Sequence, residues 1–299
     1  MKPRIIVTGA NGRLGAALVR EWRAAGLNVT GFGRNELDLA SGAAITERLN
    51  SEDFAALVNC AAQTNVDRCE TEIDEAFTLN AEAPTIIADA CRRKGARMIH
   101  ISTDYVFDGA KDGAYTEDDP AIPISIYGAS KRAGESGVLA ATEGKALVAR
   151  VSWVFGPDRP SFVDQIVKNA MEKDEVAAIA DKVAVPTYTL DAAAMLKPFL
   201  FENHASGLLH LCNAGSCTWQ EYGQWALDCA AEAGAALKAR SVAPLKMADL
   251  KAFIARRPPN TAMSTARLTT LTGIHPRPWR DAVREYIAGR IQASKTSAQ

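Results

Sequence analysis

Apolar residues in the first half of the chain come in short β-branched runs separated by stretches of helical period. The run Arg4–Thr8 reads as a buried strand. Residues 14–25 place apolar side chains at 14, 18, 19 and 22, one face of a helix, and Gly26 supplies its stop. Further strands are predicted at 29–32, 56–60, 98–102 and 146–151, with an Ala-rich helix over 83–94 whose Pro84 suits a first turn. Strands alternating with helices imply parallel pairing through right-handed crossovers. The pattern therefore predicts an α/β fold with a Rossmann-type doubly wound parallel sheet. The alternation fades near Phe155-Gly156-Pro157. A Rossmann domain is expected over 1–155 and a smaller C-terminal lobe over 156–299, with about 187–213 returning to the sheet. The tail from Ala293 onward is small and polar and is expected to fray.

Composition narrows the picture without changing it. The chain has 299 residues, is 47% hydrophobic and carries a formal net charge of −1, enough apolar material for a real core. Near-neutral charge gives no reason to expect nucleic acid or an anionic membrane as partner. No stretch approaches the roughly 20 apolar residues of a membrane span, and the N-terminal apolar run is too short for a signal peptide. A cytoplasmic location is expected. The 6 cysteines form no C-x-x-C pair, and the 4 histidines have neither zinc-site spacing nor triad neighbours. Reduced structural thiols and no metal are expected.

Candidate chemistry begins at the first strand–helix joint, Thr8-Gly9-Ala10-Asn11-Gly12-Arg13-Leu14-Gly15. Glycines at 9, 12 and 15 let the chain turn tightly and bring backbone N–H groups to a pyrophosphate at a helix N-terminus. After the second strand, where an acid would bind the ribose of NAD, the chain reads Gly33-Arg34. A guanidinium suits a 2′-phosphate, and Arg13 is placed to reach the same group. NADPH is therefore the preferred cofactor, with NADH the alternative. Further on, Tyr127-Gly128-Ala129-Ser130-Lys131 puts a phenol and an ammonium four apart, on one face of a helix. A neighbouring cation is expected to move Tyr127 toward working pH, where it protonates the oxygen formed as hydride reaches a carbonyl. Ser102-Thr103-Asp104 lies at the end of the fourth strand, where open α/β sheets bind ligands, and Thr103 can donate to the carbonyl.

The glycine spacing, the Ser-Thr pair and Y-x-x-x-K together resemble the extended short-chain dehydrogenase/reductases. Within them the chain is similar to the dTDP-4-dehydrorhamnose reductases, which reduce the 4-keto group of a nucleotide 6-deoxysugar. The specific matches are S-T-D-Y-V-F-D-G from Ser102 and S-W-V-F from Ser152; Asn59-Cys60-Ala61-Ala62, Pro186-Thr187 and Pro278-Trp279 support them. The resemblance implies Tyr127 as proton donor, Lys131 as its partner and Thr103 as the group that polarises the ketone. It implies Gly12, Arg13 and Leu14 at the pyrophosphate. Asp38, Leu39, Ala61, Ala62 and Thr64 would border adenine, ribose and nicotinamide, and Asp104 and Trp153 the nucleotide sugar. A homodimer is compatible with it. Gln63 departs from the family's usual Tyr or His, and Gly156-Pro157-Asp158-Arg159-Pro160 is richer in proline than usual. Related dehydratases carry Glu where this chain has Tyr105, a poor base at neutral pH. A dehydratase or epimerase, or a non-catalytic binding subunit, is the competing reading. Trp219, Tyr222 and Trp225 form a helical face, either core or base-stacking surface. Lys246, Arg256 and Arg257 are either solvated charges or contacts to a substrate pyrophosphate.

Overall fold

The computed structural model describes residues 2–201, 205–250 and 252–297. Short Ile/Val/Leu runs, buried on both faces, build a sheet of six parallel strands. These are β1 (Arg4–Thr8), β2 (Asn28–Phe32), β3 (Ala56–Asn59), β4 (Arg97–Thr103), β5 (Leu147–Val151) and β6 (Gly207–His210). Their order is β6-β5-β4-β3-β1-β2. The chain steps from β1 outward to β2, then returns to the other side of β1 as β3. That reversal opens a crevice between the C-terminal ends of β1 and β3.

Helices α1 (Arg13–Ala24), α2 (Gly42–Ser51), α3 (Ala83–Lys94) and α4 (Ile126–Ala141) are the crossovers that cover the sheet. Helix α1 buries Leu14, Leu18 and Trp22, at a stabilisation of roughly 1.5–3 kcal/mol for each large apolar side chain. The predicted strands and helices are present with ends shifted by about one residue. Gly26, at φ +77°, directly follows the α1 cap residue Ala25.

Beyond Phe155, α5 (Phe162–Glu172), α7 (Trp219–Glu232) and α8 (Trp279–Ser297) enclose a second apolar core. Between them in sequence, α6 (Thr189–Leu196) packs on α1, and Trp22 Nε1 donates to Ala193 O at 2.9 Å. The tail after Ala293 is helical where an irregular end was expected. Helix α8 continues through Ser297, tied by Lys295 Nζ to Ala233 O at 2.9 Å; Ala298 and Gln299 lie outside the described residues. The cysteines are free thiols, five buried and Cys60 half-buried. Among the described residues no helix is long and apolar enough to cross a membrane.

Candidate active site

The crevice at the strand reversal opens into a cleft of about 920 Å³. Its floor begins at the glycine loop. Gly9 adopts φ +66°, and a Cβ there would lie 2.7 Å from Ala61 N, so the loops after β1 and β3 touch backbone to backbone. Gly12 caps α1 in extended conformation, leaving the first N–H groups of that helix facing the cleft. Asn11, Arg13, Leu14 and Gly15 line the same wall. This bare backbone at a helix N-terminus fits a dinucleotide pyrophosphate.

The β2 end of the cleft is open. Arg34 and Asp38 are exposed and Leu39 is half-buried, all three lining it. Gly33 N–H donates to Glu36 Oε2 at 2.8 Å, so a carboxylate folds over the strand end beside Arg34. Arg13 points elsewhere, which corrects one expectation. Its guanidinium donates to the carbonyls of Arg159 (3.2 Å) and Pro160, tying the proline-rich loop to α1. With those donors taken it is not aimed at a 2′-phosphate, and Arg34 is the cation at that end.

The β4–α4 end is closed and densely bonded. Ser125 caps α4 by accepting from Gly128 N at 3.2 Å, which sets Tyr127 and Lys131 on the helix face toward the sheet. Gly128 is required there: a Cβ would sit 2.2 Å from Tyr105 O. Tyr127, Thr103 and Lys131 are all buried against the cleft. The Thr103 hydroxyl donates to Asp104 Oδ1 at 3.0 Å and accepts from Tyr105 N at 3.2 Å, and Thr103 lines the cleft together with Tyr127. Asp104 also lines the cleft, yet Ser152 (2.8 Å) and Thr261 (2.5 Å) both donate to its Oδ2. Trp153 lines the opposite wall at φ +38°, with its indole N–H buried and unpartnered.

The expected shift of Tyr127 toward working pH is not what the structure shows. Burial pushes the Tyr127 phenol up, with Thr103 pulling the other way. Lys131 Nζ is held instead by Ile101 O at 2.7 Å and His100 Nε2 at 3.3 Å. Burial lowers Lys131 to about 8, opposed by Glu135. One turn along α4, Glu135 accepts from Ser102 (2.7 Å) and makes a bidentate pair with fully buried Arg150, both bonds 2.7 Å.

The residues singled out at the glycine loop, at the strand ends and on the Tyr127–Lys131 helix all line this one cleft, Ala61, Ala62 and exposed Thr64 among them. The distant candidates do not. Arg257 is paired with Asp67 at 2.6 Å, and Arg256 and Lys246 are exposed outside the cleft. Trp219 and Tyr222 pack with Phe162 and Trp153 in the second core, and Trp225 Nε1 donates to Arg280 O. Gln63 is buried: its N–H and carbonyl bond to the Asn80 side chain, and its Oε1 accepts from Asn65 N. Asn80 also donates to Ser130 on α4 at 3.1 Å. Sequence reasoning missed Asn80, Asn59 and His100, polar groups behind the cleft that no local spacing marks. Their only signal is a polar residue inside an apolar run.

The model of the RmlD substrate binding domain matches residues 2–291 of this chain. Over 291 residues the chain is 35% identical to the spore coat polysaccharide biosynthesis protein SpsK of Bacillus subtilis, covering 97% of this chain and 99% of that one. It is 34% identical to a dTDP-4-dehydrorhamnose reductase of Burkholderia thailandensis, covering 94% and 96% respectively. Among solved structures it is similar to a dTDP-4-dehydrorhamnose reductase of Bacillus anthracis in complex with NADP. The TM-score is 0.89 and identity 30%, over 96% of this chain and 99% of that one.

Proposed function

The chain belongs to the RmlD substrate binding domain family, and we propose that it is an NAD(P)H-dependent oxidoreductase that reduces the 4-keto group of a nucleotide-activated 6-deoxysugar. The observation that carries this reading is one cleft holding both a bare glycine loop at a helix N-terminus and a buried Thr103–Tyr127 pair. The relative solved with NADP and the reductase names of full-length relatives support it.

Reduced nicotinamide supplies the hydride when bound. In this reading the α1 N-terminus and the loop at Gly9, Asn11, Gly12, Leu14 and Gly15 hold the pyrophosphate. Arg34, Asp38 and Leu39 border the adenosine, and Ala61, Ala62 and Thr64 lead toward the nicotinamide. Arg34 favours NADPH over NADH by a charge-assisted contact to the 2′-phosphate. The second core, with Trp153 at its edge, forms the substrate lobe, and Asp104 holds the hydroxyls that surround the sugar.

Tyr127 gives its proton to the ketone oxygen as the C=O double bond opens to an alcohol. A phenol pushed up by burial stays protonated in the free protein and yields only to a stronger base, which a forming alkoxide is. Thr103 donates to the same oxygen by rotating its hydroxyl from Asp104. Tyr105 is no dehydratase base, since burial pushes its phenol up as well. A panel of nucleotide sugars followed by NADPH absorbance tests the assignment. 4-Keto-6-deoxy sugars are expected to consume cofactor; loss only with other substrate classes would defeat it.

A further inference from the structure

Behind the cleft a buried polar chain crosses the sheet. Thr8 and Asn59 end β1 and β3, His100 stands at the middle of β4, and Asn59 and His100 are register partners. Thr8 Oγ1 donates to Asn59 Oδ1 at 2.5 Å, and Asn59 Nδ2 meets His100 Nδ1 at 3.1 Å. His100 Nε2 meets Lys131 Nζ at 3.3 Å. None of the four is more than 2% exposed. The chain joins the turn before the glycine loop to the lysine beside the reacting end.

Counting protons fixes its polarity. Asn59 Oδ1 accepts from the Thr8 hydroxyl and from Ala61 N at 3.2 Å, so the amide NH₂ faces the histidine. An amide nitrogen only donates, so His100 Nδ1 accepts. Burial and the Lys131 charge push His100 well below the ordinary imidazole range, which leaves a neutral ring. Its one proton then sits on Nε2 and points at Lys131 Nζ. An ammonium has no lone pair to receive it. A neutral amine does, while still donating to Ile101 O at 2.7 Å.

On the reductase reading, we propose that His100 is a positioning residue for Lys131. Locked by Asn59 as the Nε2–H tautomer, it turns an N–H toward Lys131 Nζ and so favours the neutral amine over the ammonium in the cofactor-free protein. The other groups acting on Lys131 do not reverse this. Glu135 on α4 favours the ammonium, but its carboxylate is held by Ser102 and Arg150. Cys60, after β3, is pushed up to about 12 by burial and stays a neutral thiol. Tyr127 is likewise neutral.

Two-bond ¹H–¹⁵N correlation on histidine-labelled protein, without cofactor, reads the tautomer directly. From pH 6 to 9 His100 is expected as Nε2–H with an unprotonated Nδ1; an imidazolium or an Nδ1–H ring would overturn the proposal. In turnover, His100→Gln replaces the N–H facing Lys131 with an amide whose oxygen accepts from an ammonium. The basic limb of the kcat profile should then rise by roughly one pH unit, with KM for NADPH within about threefold of wild type. A variant that lowers kcat with the limb unmoved would mean mere packing. The tautomer measurement needs no turnover. Failure of the wild type to reduce any 4-keto nucleotide sugar would therefore count against the reductase reading alone.

Discussion

The two ends of the cleft are built on opposite plans. At the β4–α4 end every reactive side chain is buried and tied to others: Thr103 to Asp104, Lys131 to His100 and Ile101, Glu135 to Ser102 and Arg150. At the β2 end Arg34, Asn35, Glu36 and Asp38 are exposed, and the contacts there are local, Gly33 N to Glu36 and Ala40 N to Asp38. Burial at the closed end raises the phenol and lowers the ammonium, so that both approach neutrality. The open end keeps its charge in water, where it can select a phosphate without distorting the fold. On the proposed function, chemistry falls to the buried end and cofactor choice to the exposed one.

That contrast is breakable by substitution. The largest effect expected is at Tyr127. Tyr127→Phe should lower turnover about 10²–10⁴-fold while NADPH affinity, measured by fluorescence titration, stays near wild type. Comparable loss of affinity would mean that the closed end also binds the cofactor's energy-bearing groups. Next is the buried ion pair: Glu135→Leu strands Arg150, which is fully buried, and should cost about 3–5 kcal/mol in urea unfolding.

At the open end Arg34→Ala should erase a cofactor preference of roughly ten- to a hundredfold, read as the ratio of NADPH and NADH dissociation constants. Equal affinities in the wild type would contradict the role given to Arg34. Unfolding stability is expected to be near unchanged in that variant. The smallest effect is on stability at Lys131. Its folded value, about 8, lies below lysine's ordinary 10.5, so the unfolded chain binds more protons between them. Stability contributed there is present above the unfolded value and lost as pH falls toward 8. Lys131→Met should therefore be inactive yet more stable than wild type at pH 7, by on the order of 1–3 kcal/mol, with the gain vanishing near pH 11.

Local spacing made much of the fold and part of the site legible. The glycine loop, the strand-end Thr103 and the Tyr127/Lys131 helix face each depend on residues within eight positions of one another, which a sequence displays directly. What stayed hidden depends on strand order and register. Asn59 and His100 lie 41 positions apart and meet only because β3 and β4 pair in the register that sets them side by side. The same holds for Glu135 and Arg150, which face each other across α4 and β5. The expected shift of Tyr127 fails for a related reason: helical spacing places Tyr127 and Lys131 on one face, but burial, which spacing does not display, pushes the phenol up and the ammonium down. Arg13 was misjudged because nothing local signals that the loop at 159–160 returns to occupy it.

The central claim is net reduction at C4 of the sugar, and isotope transfer tests it most directly. The enzyme would be mixed with a 4-keto-6-deoxy nucleotide sugar and NADPH deuterated at nicotinamide C4 on one face at a time. With the transferring face labelled, the sugar product should carry one deuterium at C4, and one NADP should form per product molecule. A 6-hydroxy nucleotide sugar that instead loses water, with no label gained and no net consumption of NADPH, would contradict the account.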